Sequence, residues 1–533
     1  MKSIAELNFG YGDAANYLRS RAYGKMFSDI FVKDSKLDSL MRDDTYFLIG
    51  DKGTGKTAYA VFLTNNDYKN TNSNVVNIES TDYRIFINLK RSGFISLSDY
   101  TRVWRIILFV LISEMIEKKD IQFIGPKRSA RFELLRDSID EYYDNAFIPE
   151  IATSVNYVID KASDKIIGGN FKKTVVSGDG KLSFSESEKT EEIIKEFQNN
   201  LLLLERQFTE AFNRLKINKN KFLFIDSIDI KLGDITDEEY RACLQGLAQA
   251  IWSINTGVFR SMPQGNGFIK VVLSIRTDMF PELNLHNQAN KIRDNSVVLD
   301  WRTTYDNYRH SPLFKLCNNI LAFENSGLEL DAYWDYYFPW FTDTTNPQKR
   351  DRDDSFINCL KLSLSRPRDL ISIMKAIQAR NQRGDSVSNV DWFQDHLTQN
   401  EISQYYIDEA RDWCLHRFSD DAFKTLLYFF QFLGGKSRFT YEEYICVFQE
   451  YSTQISNRDL EIFEEVLDAD SFLQLLYDLN MICYYEVGTN GEELFRFCYR
   501  EREIYNLEPK IKLNSKYRVH YALLKALNLG RTV

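Results

Sequence analysis

Residues 45–62 read TYFLIGDKGTGKTAYAVF. Tyr46, Phe47, Leu48 and Ile49 form a short apolar run, which predicts a buried strand. The run breaks into Gly50-Asp51-Lys52-Gly53-Thr54-Gly55-Lys56-Thr57, and residues 58–62 predict the start of a helix. Strand, glycine turn and helix in that order supply the context in which G-x-x-x-x-G-K-[ST] reads as a phosphate-binding P-loop. Glycines let backbone N–H groups turn toward phosphate oxygens. A helix N-terminus adds the positive end of its dipole. In such a loop Lys56 reaches the β- and γ-phosphates and the Thr57 hydroxyl binds Mg²⁺. Gly50 through Thr57, together with Tyr59, are the nucleotide-binding candidates.

A second stretch complements the first. Residues 221–229, KFLFIDSID, predict a buried strand ending in acids. A carboxylate at the carboxyl end of a strand beside the loop is placed to hold Mg²⁺, which makes Asp226 the metal candidate with Thr57. Asp229 is the candidate for orienting or deprotonating an attacking water. Many ring-forming ATPases carry Glu directly after this Asp; here Ser227 stands there, so slow hydrolysis is expected. Residues 268–278, FIKVVLSIRTD, form another apolar strand with polar groups at its end. Ser274, Arg276 and Thr277 are candidates for sensing a γ-phosphate, and Arg276 has the best reach and charge. An ion pair between Arg276 and Asp278 is the alternative. Residues 83–89 and 297–299 read as further strands. Strands alternating with helices imply a parallel sheet covered on both faces, with ligands at the carboxyl ends of its strands.

The chain has 533 residues, which implies about three domains. A hydrophobic share of 44% with 27% charged residues fits folded protein rather than disorder. The net charge of −9 argues against bulk electrostatic binding of nucleic acid. The seven cysteines and five histidines are scattered without C-x-x-C spacing, which disfavours a zinc–thiolate site and fits a reducing compartment. The first ten residues lack the apolar core of a signal peptide. The longest apolar run, residues 106–112, is far below the roughly 20 residues that span a bilayer. A cytoplasmic protein without membrane attachment is expected.

Residues 13–27 and 31–41 have helical spacing. Residues 65–77 read as an Asn-rich loop. A change of pattern over about 120–190 reads as an insertion, with a helix over 131–146 and a hairpin around the Asp179-Gly180 turn. It is either surface decoration or a contact with a partner. Residues 193–216 predict a long helix. From about residue 311 the chain turns helical, and the aromatic stripe over 331–341 reads as core. Residues 363–371, SLSRPRDLI, open an amphipathic helix to about 380, with Pro367 and Asp369 suited to a helix start. Arg366 and Arg368 could read nucleotide phosphates from a lid; a solvated capping turn is the alternative. Toward the end, a helix over 471–479, strands at 481–487 and 493–499 around an Asn-Gly turn, and a helix over 519–527 look like a winged helix. Residues 496–533 carry nine basic residues against Glu501, Glu503 and Glu508. That surplus could meet nucleic acid, or face an acidic protein surface.

GDKGTGKT, FLFIDSID, VVLSIRTD and SRPRDLI, with the tail and its YRVHYALLKAL ending, together resemble bacterial P-loop ATPases of the FunZ type. These are similar to the STAND and KAP branches of AAA-like ATPases. The resemblance implies an α/β P-loop NTPase domain over 1–310, a helical lid over 311–400, and a helical, winged-helix-like domain over 401–533. It implies ATP and Mg²⁺ as cofactors, with Lys56, Thr57 and Asp226 at the phosphates and metal and Arg276, Arg366 and Arg368 as sensors. It also implies a nucleotide-dependent switch or assembly scaffold with ATPase activity in antiphage defence. It fixes no partner; a homo-oligomer or a partner protein of a defence system is expected. A nucleic-acid-stimulated ATPase reading DNA with its tail is the alternative.

Overall fold

The structure is a computed structural model that describes residues 1–78, 99–123, 126–145, 188–226, 236–339, 354–383, 395–414, 419–458, 460, 468–489, 491–503 and 505–530. Its first layer is a five-stranded sheet. In chain order the strands are β1 (Phe47–Ile49), β2 (Thr71–Asn77), β3 (Asn220–Asp226), β4 (Ile269–Ile275) and β5 (Ser296–Val298). In space they run β2-β3-β4-β1-β5, all parallel.

The near-continuous apolar character of β1, β3 and β4 follows from burial on both faces. Leu48, Phe222, Phe224 and Val272 point into one core, shared with helix Lys56–Asn65, the N-terminal segment and the C-terminal half. Their neighbours Phe47, Ile49, Leu223, Ile225, Val271 and Leu273 point into the other. Helices Asp99–Glu114, Glu188–Asn213 and Asp237–Ser253 contribute to that second core.

Two expectations are corrected. Residues 71–77, read as loop because of their asparagines, form β2, paired over seven residues with β3. The asparagines are tolerated because partners exist: Arg19 Nη2 donates to Asn74 Oδ1 at 3.3 Å, and Lys221 Nζ to Asn72 Oδ1 at 3.4 Å. Residues 516–519 form a strand, and only one short helical turn, Tyr521–Leu523, follows where a helix over 519–527 was expected. Tyr517 and Val519 alternate inward with Arg518 on the opposite face, and the backbone pairs on both sides, which a helix cannot do. The strand expected at 83–89, the hairpin around Gly180 and Trp340 lie outside the described residues. The expected N-terminal helix is split into the turn Ala14–Tyr17 and helices Gly24–Ile30 and Ser35–Leu40.

Helices Pro312–Ala322, Tyr333–Tyr337, Ser355–Leu362 and Pro367–Gln382 follow the sheet. Tyr333, Trp334, Tyr337 and Phe338 are buried as the stripe predicts, while Tyr336 is exposed. The last layer is a separate antiparallel sheet, β6 (Arg438–Thr440), β7 (Ile482–Val487), β8 (Glu493–Phe497) and β9 (Lys516–Val519), in spatial order β6-β9-β7-β8. Helices His396–Cys414, Tyr441–Arg458 and Ala469–Asp478 accompany it. Among the described residues no helix is long and apolar enough to cross a membrane.

His520, just past β9, is buried against Tyr406 and Phe497. Burial holds its pKa down at about 3, and the charges of Arg500, Arg366 and Arg518 act in the same direction. Its Nδ1 accepts the Ala522 amide at 3.2 Å, which a protonated nitrogen cannot do. The unfolded chain takes up this proton near the ordinary histidine value of 6.5, so stability is present above that pH and is lost as pH falls toward 3. His520→Asn is therefore expected to flatten the acid limb. Thermal melts at pH 5 and pH 7 should differ less in the variant than in the parent.

Candidate functional site

The glycine loop follows β1 and enters helix Lys56–Asn65. Its turn needs glycine at two places. Gly53 has φ +83° and Gly55 φ +94°, in the left-handed region that side chains rarely occupy. A Cβ on Gly53 would also stand 3.2 Å from Arg368 Cβ. The Lys56 ammonium curls back over the turn, donating to Gly50 O at 2.8 Å and Asp51 O at 3.3 Å. The Thr57 hydroxyl donates to Asp226 Oδ2 at 2.6 Å. Two residues 169 positions apart thus meet because β3 and β1 flank β4, and all three strands end on the same edge.

These side chains border a cavity of about 660 Å³, within the usual range for a small-molecule site. Lys52, Gly53, Gly55, Lys56, Thr57, Asp226, Arg276 and Arg368 supply polar lining. Tyr17, Phe31, Tyr59, Trp301 and Ile320 are among the residues that supply apolar lining. Tyr59 is held by Asp34, which accepts its hydroxyl at 2.8 Å, and burial together with that carboxylate raises the phenol pKa. Trp301 donates its indole N–H to Thr54 O at 2.8 Å, bracing the loop from β5's side.

The remaining predicted residues divide. Gly50, Asp51, Thr54 and Arg366 do not line this cavity; Asp51, Thr54 and Arg366 instead border a smaller one of about 270 Å³ behind the loop. Asp229 and Ser227 lie outside the described residues. Arg276 reaches the cavity wall, but its guanidinium is held by Asp278 through bonds of 2.9 and 2.6 Å, the ion pair that stood as the alternative. Its guanidinium also lies 5.7 Å from the ring centre of Trp413.

Arg366 belongs to no solvated turn, while Arg368 is half-buried at the cavity. Arg366 is 8% exposed and Asp369 0%. Arg366 forks onto the Asp369 carboxylate, with Nη2 at 2.7 Å. Its Nη1 donates to Lys52 O at 2.8 Å and stands 3.3 Å from Glu409. Burial opposes the charge on Arg366, yet Asp369, Tyr405 and Glu409 outweigh it and the pKa is raised. Asp369 also accepts Leu364 N at 2.8 Å and Tyr405 Oη at 2.9 Å.

The sequence reading missed what grips the loop from the C-terminal half. Asp51 pairs with Arg502 at 3.3 Å, and Lys52 pairs with Asp412 at 2.6 Å and Glu409 at 3.4 Å. The Arg368 amide donates to Gly53 O at 3.4 Å. Three consecutive loop residues are therefore each held by a different distant segment. No local pattern marks Glu409, Asp412 or Arg502. Trp301 alone carried a signal, since it follows the last strand at its carboxyl end. Arg502 accounts for part of the basic surplus of the tail, and Lys512 and Arg496 are paired with Glu486 and Glu501.

Comparison with protein-family models and with curated protein sequences finds no match for this chain.

Removing Arg366 would leave the Asp369 carboxylate buried without its main partner. Arg366→Ala is expected to lower stability by about 3–5 kcal/mol in chemical denaturation. Arg366→Lys should recover only part of that, because an ammonium cannot fork onto a carboxylate and reach a carbonyl at once.

Proposed function

We propose that this chain is a P-loop protein that binds ATP with Mg²⁺ and uses it as a conformational switch. The observation that carries the reading is the Thr57–Asp226 hydrogen bond of 2.6 Å in the polar lining of the cavity, beside Lys56. A hydroxyl and a carboxylate side by side are the hard oxygen donors that suit Mg²⁺, which keeps the rest of its shell for water and phosphate. When bound there, the ion would neutralise charge on the β- and γ-phosphates.

The chain's own groups divide the remaining work. The turn at Gly53 and Gly55 aims backbone N–H groups at an anion, and helix Lys56–Asn65 adds its N-terminal dipole. Lys56 holds loop carbonyls at this position and would exchange them for phosphate oxygens. The aromatic lining of the cavity suits a stacked purine. The grip of Arg502, Glu409 and Asp412 on the loop gives a bound nucleotide a direct route to the C-terminal sheet. The resemblance to FunZ-type ATPases supports ATPase activity and a role in antiphage defence, and Ser227 in place of Glu supports slow hydrolysis. The winged-helix likeness of the C-terminal sheet belongs to the same reading. A nucleic-acid reader is less favoured, since Arg502, Arg496 and Lys512 are engaged within the chain.

Calorimetric titration with ATP tests the assignment. Lys56→Ala is expected to weaken binding at least tenfold, and unchanged affinity would sink it. Asp226→Asn should bind ATP in EDTA about as the parent does but lose the gain that Mg²⁺ provides. A Mg²⁺ gain equal to the parent's would remove Asp226 from the metal site.

A further inference from the structure

The cations in the cavity's polar lining already hold an anion that belongs to the chain. Glu409 projects from helix His396–Cys414 with its side chain 12% exposed. One carboxylate oxygen lies 3.4 Å from Lys52 Nζ and 3.6 Å from Arg368 Nη1, and the other 3.3 Å from Arg366 Nη1. Asp412, one turn further on, takes Lys52 at 2.6 Å. Of these three cations Lys52 and Arg368 line the cavity and are placed to hold a phosphoryl group in its place, while Arg366 holds Glu409 from behind the lining. None of these cations is a sequence neighbour of Glu409; they stand on the glycine loop and at the start of helix Pro367–Gln382. Glu409 and Asp412 line the same cavity as Lys56, Thr57 and Asp226.

We propose that Glu409, backed by Asp412, is an internal competitor for the terminal phosphates of the nucleotide. The inference rests on the nucleotide reading above and extends it to how the site is regulated. A triphosphate and the Glu409 carboxylate cannot both draw on Lys52 and Arg368 without like charges meeting in a partly dehydrated space. Nucleotide binding therefore loosens helix His396–Cys414 from the loop. By reciprocity, whatever holds that helix down weakens nucleotide binding by the same factor. The effect grows with the number of phosphates, so it separates ATP from AMP. Glu409 thus sets both which nucleotide is preferred and whether the C-terminal sheet stays docked.

The test is calorimetric titration of the full chain with ATP and with AMP, both with Mg²⁺. Glu409→Gln is expected to tighten ATP roughly tenfold and to leave AMP nearly unchanged. ATP affinity that is unchanged or weaker in Glu409→Gln, in a parent that binds ATP, overturns the proposal. So does equal tightening of both ligands, which would indicate general loosening. A parent that binds no ATP overturns the nucleotide reading itself, and the competitor role with it. A second measurement needs no variant: amide hydrogen exchange in helix His396–Cys414 should rise when ATP is added to the parent protein. Unaltered exchange at saturating ATP contradicts the proposal even where Glu409→Gln fails to fold.

Discussion

The buried guanidinium of Arg366 is the contact on which the arrangement of the other parts depends. Its fork closes on Asp369 at the start of helix Pro367–Gln382, its Nη1 reaches the Lys52 carbonyl, and Glu409 lies against the same nitrogen. One side chain thereby ties the glycine loop to two helices of the C-terminal half. A charge this deeply buried is costly unless every neighbour is placed to satisfy it. Asp369 is satisfied in turn by Leu364 N and Tyr405 Oη. Loss of any member leaves a charge or a polar group stranded, so the loop, helix Pro367–Gln382 and helix His396–Cys414 form one interdependent unit.

That unit gives the loop two sets of neighbours. On one side stand Lys56, Thr57 and Asp226, set by the strands of the parallel sheet. On the other stand Glu409 and Asp412, set by helix His396–Cys414, and Arg502, set by the segment that follows β8. The charges alternate along the chain: acidic Asp51 meets a base, and basic Lys52 meets acids. The two sides meet at Asp51, whose carbonyl accepts from Lys56 and whose carboxylate pairs with Arg502. Surface ion pairs contribute little on their own. Here Arg502 and Glu409 are largely withdrawn from water, where pairing has more effect and rearrangement has discrete outcomes. Burial opposes the charge on Arg502, and Asp51 reverses that so its pKa is raised.

Much of the parallel sheet was legible because its physics is local and periodic. Apolar runs at 47–49, 222–225 and 271–273 are buried on both faces, and no other environment accommodates such runs as easily. Strand β2 was hidden because its asparagines mimic a loop until Arg19 and Lys221 supply partners. Strand β9 was hidden because a short apolar tail fits a helical period as well as a strand's. Its place between β6 and β7 is a long-range pairing that no window of sequence contains.

The sequence by itself determined the glycine loop, its following helix, and the pairing of a hydroxyl at Thr57 with an acid at the end of an apolar strand. These rest on backbone sterics and strand burial, which act over a few residues. Only the tertiary structure decided what the variable loop residues Asp51 and Lys52 are for, and that Arg366 is a structural tie while Arg368 faces the cavity. The reason is distance along the chain. Arg502 lies 451 residues from Asp51, and an ion pair is chosen by where the folded backbone brings two charges, which local pattern cannot encode.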